Sequence, residues 1–190
     1  TNATIRLTST GDGFGIDTAI GSLEYYGNDA SAPGAGVKSS IVAKTESSLG
    51  DDSNLIFSTS DGVTNNIERL RIDSAGNVGI GTNDFGASSY SSWSNLRLGK
   101  TGNLFFNTTA NTHSFSVGRN FYFGSDASYK YLTSNEAETI VFANGNIDFK
   151  NATSGTEDDT LSWSTRMRID SSGNVGIGTT SPDALLDISS

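Results

Sequence analysis

Residues able to do covalent or metal chemistry are few. His113 is the single histidine and cysteine is absent, so a catalytic triad or zinc site would rest on one imidazole without a second nitrogen or sulfur ligand. Two carboxylate pairs have the right chemistry for acid–base work. Glu136 and Glu138 are two apart and share a face of a strand, and Asp158 and Asp159 are adjacent in an acidic loop, residues 151–160. Glycoside hydrolysis needs its two carboxyls across a cleft. With 21 acidic residues in the chain, spacing alone selects no such pair, and a solvated acidic loop accounts for Asp158 and Asp159. The sequence therefore assigns no catalytic residue, no cofactor-binding residue and no metal ligand. The charges that do stand out are Arg69, Arg71, Arg166 and Arg168, in a chain only 17% charged. Projecting from one strand face, they would pair with acidic residues of a neighbouring subunit or simply stay solvated.

Those arginines lie in a stretch that occurs twice. Arg69-Leu70-Arg71-Ile72-Asp73-Ser74-Ala75-Gly76-Asn77-Val78-Gly79-Ile80-Gly81-Thr82 returns as Arg166-Met167-Arg168-Ile169-Asp170-Ser171-Ser172-Gly173-Asn174-Val175-Gly176-Ile177-Gly178-Thr179. Only Leu70 against Met167 and Ala75 against Ser172 differ, so the chain reads as a tandem array. Alternation in Arg-Leu-Arg-Ile has the period of a half-buried strand. Gly76-Asn77 and Gly173-Asn174 carry turn chemistry. Val-Gly-Ile-Gly then alternates again. Each copy is predicted to be a hairpin, with its turn at Ser74–Asn77 and Ser171–Asn174. Val78, Ile80, Val175 and Ile177 are expected to be buried, and Gly79, Gly81, Gly176 and Gly178 to face closely packed neighbours.

The run Arg-Ile-Asp-Ser-x-Gly-Asn-Val-Gly-Ile-Gly-Thr, with Thr180-Ser181-Pro182 after the second copy, resembles the repeat of bacteriophage tail fibre proteins, of the kind found upstream of endosialidase-type chaperone domains. The first unit resembles it more widely, through Gly21–Asp29, Gly34–Val37, Ser40–Ala43 and Leu55–Ser60, whereas residues 108–164 depart from it. The resemblance implies a virion component: a structural fibre segment contributing to host attachment, a parallel homotrimer, with neighbouring fibre repeats or virion proteins and a host surface glycan as partners. The motif marks a repeat type more sharply than a function. The alternatives are a polysaccharide depolymerase of the tailspike kind and a bacterial surface adhesin or filament protein.

Composition agrees with a β-rich chain. Leu, Ile, Val and Phe make up about a fifth of it, and 22 glycines stand against two prolines. So thin a supply of core residues is helped by burial between subunits. A net charge of −9 argues against a nucleic-acid groove or an anionic membrane surface, and no apolar run is long enough to insert into a bilayer as a helix. The absence of cysteine leaves the redox compartment open.

The fold class expected is all-β: tandem antiparallel repeats of short hairpins and small sheets in an elongated homotrimeric fibre. The divisions are residues 1–83, 84–180 and the start of a further unit in 181–190. Weak hairpins open the units at Ile5–Asp12 and Leu96–Leu104. Strands are predicted at Ser22–Tyr26, Ser39–Lys44, Leu55–Thr59, Leu104–Phe106, His113–Val117, Asn120–Gly124 and Tyr129–Leu132. A hairpin joins Glu138–Phe142 to Ile147–Phe149 through Asn144-Gly145. Phe85, Tyr90 and Trp93 would pin the linker, residues 83–95, onto a neighbouring unit. Gly13-Phe14-Gly15-Ile16-Asp17 resembles one copy of a calcium-binding β-roll repeat. Such sites need stacked copies, so an ordinary strand is expected there.

Overall fold

The computed structural model describes residues 5–7, 15–31, 34–85, 93–107 and 114–189. His113, Tyr90, Gly13, Phe14 and most of the opening hairpin Ile5–Asp12 lie outside the described residues. Regular structure among the described residues is all β, without helix. The chain divides into two compact units, Thr1–Asn83 and Asp84–Ser190.

The first unit is an antiparallel meander. Strands β1 (Ala19–Gly27), β2 (Gly36–Thr45), β3 (Ser53–Thr59), β4 (Ile67–Ile72) and β5 (Val78–Ile80) each pair with the next. Gly15–Asp17, expected within a strand, instead forms a turn ahead of β1, with Asp17 at φ 63°. Alternation failed there because two glycines and one isoleucine are too short a pattern to resist a turn.

The second unit contains β6 (Trp93–Leu98), β7 (Gly102–Asn107), β8 (Ser114–Arg119), β9 (Phe121–Phe123), β10 (Tyr129–Tyr131), β11 (Ala137–Ala143), β12 (Asn146–Ala152), β13 (Ser164–Ile169), β14 (Val175–Ile177) and β15 (Leu186–Ile188). Its sheet runs β6-β7-β8-β11-β12-β13-β14-β15, while β9 and β10 form a separate antiparallel ribbon. Asn144 and Gly145, at φ 54° and 78°, make the two-residue turn between β11 and β12 that Asn-Gly predicts. The tail, read in the sequence as the start of a further unit, forms a strand against the second hairpin. β15 adds in parallel to β14, with Val175 N donating to Leu185 O at 2.9 Å and Ser189 N to Ile177 O at 2.8 Å.

Strand alternation gives each sheet two chemically distinct faces. In the first unit Leu23, Ile41, Phe57, Leu70 and Ile80 stand in register across five strands, beside Ala43, Leu55, Ile72 and Val78. In the second unit one apolar row is Leu96, Leu104, Val117, Ile140, Phe149, Met167, Ile177 and Ile188. A parallel row is Phe106, Phe115, Phe142, Ile147, Ile169, Val175 and Leu186, within which Phe106 stacks on Phe115 at 4.8 Å and Phe115 on Phe142 at 5.7 Å. Both apolar faces are reached by solvent: Leu23, Leu55, Ile72 and Ile80 are exposed in the first unit, Val117, Phe142, Ile177 and Leu186 in the second.

The polar faces are the better covered ones. Ser40, Asn54, Ser58 and Arg97, Asn103, Ser116, Thr139, Asp148 are buried. In the second unit the β9–β10 ribbon and the segment before β13 supply an aromatic core. Phe105, Phe121, Tyr131, Ala137, Ala152 and Leu161 cluster there with Tyr129 and Trp163 against them. Trp163 meets Phe121 edge-on at 5.1 Å. Asn120, fully buried at φ 62°, ties this cap down. Its Oδ1 accepts from Thr133 N and Oγ1, both at 2.8 Å, and its Nδ2 donates to Thr133 O and Glu136 O.

This reverses one expectation. Ile80 and Ile177 are exposed, Val78 and Val175 half-buried, while Gly79 and Gly176 are the buried members. Periodicity separates the two faces but does not say which one the rest of the chain covers.

Candidate functional site

The two repeated stretches fold into the same hairpin. In the first, Asp73 N donates to Asn77 O at 3.0 Å and Gly76 N to Asp73 O at 3.0 Å, with Gly76 at φ 82°. In the second, Asp170 N donates to Asn174 O at 2.9 Å and Gly173 N to Asp170 O at 3.0 Å, with Gly173 at φ 87°. These are three-residue turns closed by a glycine in the left-handed region. The aspartate carboxylate locks each one. Asn77 N and Nδ2 donate to the two Asp73 oxygens at 2.7 and 2.8 Å, and Asn174 N and Nδ2 to those of Asp170 at 2.9 and 3.2 Å. Backbone donation from Asn174 and its neighbours holds the Asp170 carboxyl below the usual carboxylate range. The closing glycines Gly81 and Gly178, at φ 70° and 77°, donate back to Arg69 O and Arg166 O.

The four arginines do not share one face. A bulge in β4 falls between the pairs Phe57–Leu70 and Ser58–Glu68, and one in β13 between Phe149–Met167 and Lys150–Thr165. Each leaves one residue out of register, Arg69 or Arg166, and so shifts the alternation. Arg69 Nε donates to Thr59 Oγ1 at 3.0 Å and Arg166 Nε to Asn151 Oδ1 at 2.7 Å, at the margin of the apolar faces. Arg71 and Arg168 lie on the polar faces and pair within the chain. Arg71 reaches both oxygens of Glu68 at 2.9 and 2.8 Å, and Arg168 both oxygens of Asp148 at 2.6 and 2.8 Å. Across the next strand Arg71 stands opposite Gly79 and Arg168 opposite Gly176.

Of the carboxylate pairs, Glu136 is exposed and Glu138 pairs with Arg119, Nε to Oε2 at 2.5 Å. Asp158 Oδ1 accepts from the Tyr122 hydroxyl at 2.7 Å, and burial with that bond pushes the phenol pKa up. Asp159 is exposed. Among the described residues no three His, Cys, Asp or Glu groups are placed to hold a metal ion, and no helix is long and apolar enough to cross a membrane.

Two polar sites were not singled out by the sequence. The Arg97 guanidinium is fully buried. Its Nη1 donates to Asp84 O at 2.6 Å, Nε and Nη2 have no partner, and burial pulls its pKa down to about 10. In the first unit Arg71, Glu46, Asn54 and Asp17 line one hollow. Neither site announces itself in sequence, because each is gathered from separate strands and turns.

The apolar faces themselves, crossing every strand of both sheets, are the feature with most to explain. Comparison with protein families and with curated proteins returns no match.

Proposed function

We propose that the chain is a structural, non-enzymatic segment of a bacteriophage tail fibre. It contributes to host attachment and assembles as a parallel homotrimer in the virion. The observation that carries this reading is the pair of apolar sheet faces. A row containing Phe106, Phe115, Phe142, Ile147 and Ile169 left to water is costly. Three copies turning such faces to a common axis would bury them. The polar faces, where Ser40, Asn54, Ser58, Asn103, Ser116 and Thr139 are already buried within the chain, would then point outward. The resemblance of the two hairpin stretches to tail fibre repeats supplies the biological context. Partners in this reading are further copies of the chain, neighbouring fibre repeats and a host surface glycan. Native mass spectrometry of the chain tests it: three subunits are expected. A monomer with its apolar rows still accessible to a hydrophobic dye would remove the assembly claim. Release of oligosaccharide from host polysaccharide, lost on replacing one acid pair, would move the reading to a depolymerase.

A further inference from the structure

The apolar face of the second unit carries an open hollow of about 520 Å³. Val117, Ile140 and Phe149, in register across β8, β11 and β12, form its apolar lining, and Val117 is 41% exposed. Arg119, Glu138 and Asn151, two residues along the same strands, line it as well, together with Arg166. These polar groups reach solvent: the Arg119 and Glu138 side chains are each 47% exposed, and Arg166 is exposed. Arg119 spends Nε and Nη2 on the two Glu138 oxygens, and Arg166 spends Nε on Asn151. Nη1 of Arg119 and both Nη atoms of Arg166 make no hydrogen bond among the described residues.

The complement of this hollow stands at the other end of the same strands. Phe106, Phe115 and Phe142 form a ladder of stacked rings on β7, β8 and β11, with Phe106 42% and Phe142 41% exposed. None of the three rings lines the hollow. On β11, Phe142 and Glu138 are four residues apart, about 13 Å along the strand, so one chain cannot lay its ladder against its own arginine rim. A second copy can. Three copies that turn this face to a threefold axis running across the strands keep each strand level with its counterparts. The ladder end of β8 and β11 in one copy then meets the rim end of β8 and β11 in the next. Such a contact is heterologous, one patch against a different patch, and closes after three copies. The chemistry matches too. Exposed rings bury against Val117, Ile140 and Phe149, and unspent guanidinium groups attract the negative face of a ring. A free carboxylate would satisfy the guanidinium groups but leave both the apolar lining and the ladder uncovered.

We infer that Phe115 and Phe142 of one copy seat in this hollow of a second copy, between its Val117, Ile140 and Phe149 and the guanidinium ends of its Arg119 and Arg166. The inference rests on the homotrimer reading for the number and direction of the copies and names the contact that joins them. Photocrosslinking on the 190-residue chain tests it, with Phe142→p-benzoylphenylalanine as the probe. Isotope-labelled and unlabelled chains are refolded together and irradiated, and the joined peptides are read by mass spectrometry. Joins from position 142 of one chain to the segments around Val117, Ile140 or Phe149 of the other are expected. Joins only between two copies of position 142, or to another surface, overturn the proposal. A dilution series gives a second measurement should the probe chain not fold. Arg166→Gln should raise the concentration at which the assembly dissociates by about threefold to thirtyfold per contact, the range of one cation–π pair, and should change nothing once Phe142→Leu is present. An equal effect in both backgrounds overturns the proposal. Native mass of the same samples separates the two readings. An assembly of another number with the expected joins keeps this contact and removes the threefold; a trimer joined elsewhere does the reverse; a monomer removes both.

Discussion

Arg168 and Asp148 face each other across β13 and β12 and are joined by two parallel hydrogen bonds, Nε to Oδ1 at 2.6 Å and Nη2 to Oδ2 at 2.8 Å. Lys150 Nζ adds a third contact at 3.3 Å. The corresponding arginine of the first unit, Arg71, has Ile56 opposite it and turns to Glu68 instead. The same repeated stretch therefore finds a carboxylate in both units, by different routes.

The Arg168 hydrogen bonds hold the Asp148 carboxyl below its usual range, against a burial effect that would raise it. A depressed carboxylate contributes stability above its unfolded pKa of about 3.9 and loses it as pH falls through the lower folded value. Asp148→Asn is expected to cost about 1–3 kcal/mol near neutral pH and almost nothing once the wild-type carboxyl is protonated. Urea midpoints at neutral and strongly acidic pH check this; an equal loss at both would show that the charge is irrelevant.

Two glycines of one hairpin should fail for different reasons. A β-carbon on Gly176 would lie 2.6 Å from Thr179 O and 3.1 Å from Thr179 Cγ2, so Gly176→Val should destabilise by about 1–3 kcal/mol through overpacking. Around Gly173 the space is open, but its φ is 87°. Gly173→Ala should cost about 1 kcal/mol from backbone strain alone, and Gly173→Asn less, because asparagine tolerates that region. Thermal melts of the three variants give the order.

Asn120 joins the turn after β8 to residues 133–136 through four hydrogen bonds. Asn120→Ala removes all of them and leaves part-buried backbone groups of Thr133 and Glu136 without this partner, for an expected loss of roughly 1–3 kcal/mol. Hydrogen exchange should quicken first in the β9–β10 ribbon. Unchanged protection there would show that the aromatic cluster holds the cap without it.

Phe142 is 41% exposed in the middle of its apolar row. If the proposed trimer forms through this face, Phe142→Glu should leave the strand content intact and reduce the assembly to monomers, since an ionised carboxylate cannot be buried unpaired. Circular dichroism and light scattering on one preparation read both. A trimer that tolerates this glutamate does not assemble through that face.

Arg97 is charged, fully buried and bonded through Nη1 only. Its lowered pKa, due first to burial, means that protonation opposes folding at every pH below about 10. Arg97→Met should be neutral or stabilising by about 1–3 kcal/mol, as when other buried ions are replaced by apolar side chains. Chemical denaturation decides it, and a marked loss would assign the guanidinium a structural bond.

Much of the local structure was legible in sequence because it is set by neighbouring residues. The positive-φ demands of Gly76 and Gly173 and the reach of Asp73 and Asp170 to an amide four residues on are properties of the stretch itself. Asn144-Gly145 fixes its turn in the same way. Alternation and ring content also marked most of the strand-forming stretches. Three things needed the folded chain. A single bulged residue sends Arg69 and Arg166 away from Arg71 and Arg168, and a bulge depends on which partner strand lies alongside. Burial of the polar face came from distant segments, the β9–β10 ribbon above all, laid over it. The hollow around Asn54 collects side chains from a turn and separate strands, whose proximity follows from register. Periodicity carries information over two residues at a time, whereas cover, pairing partners and pockets are decided by segments far apart in the chain.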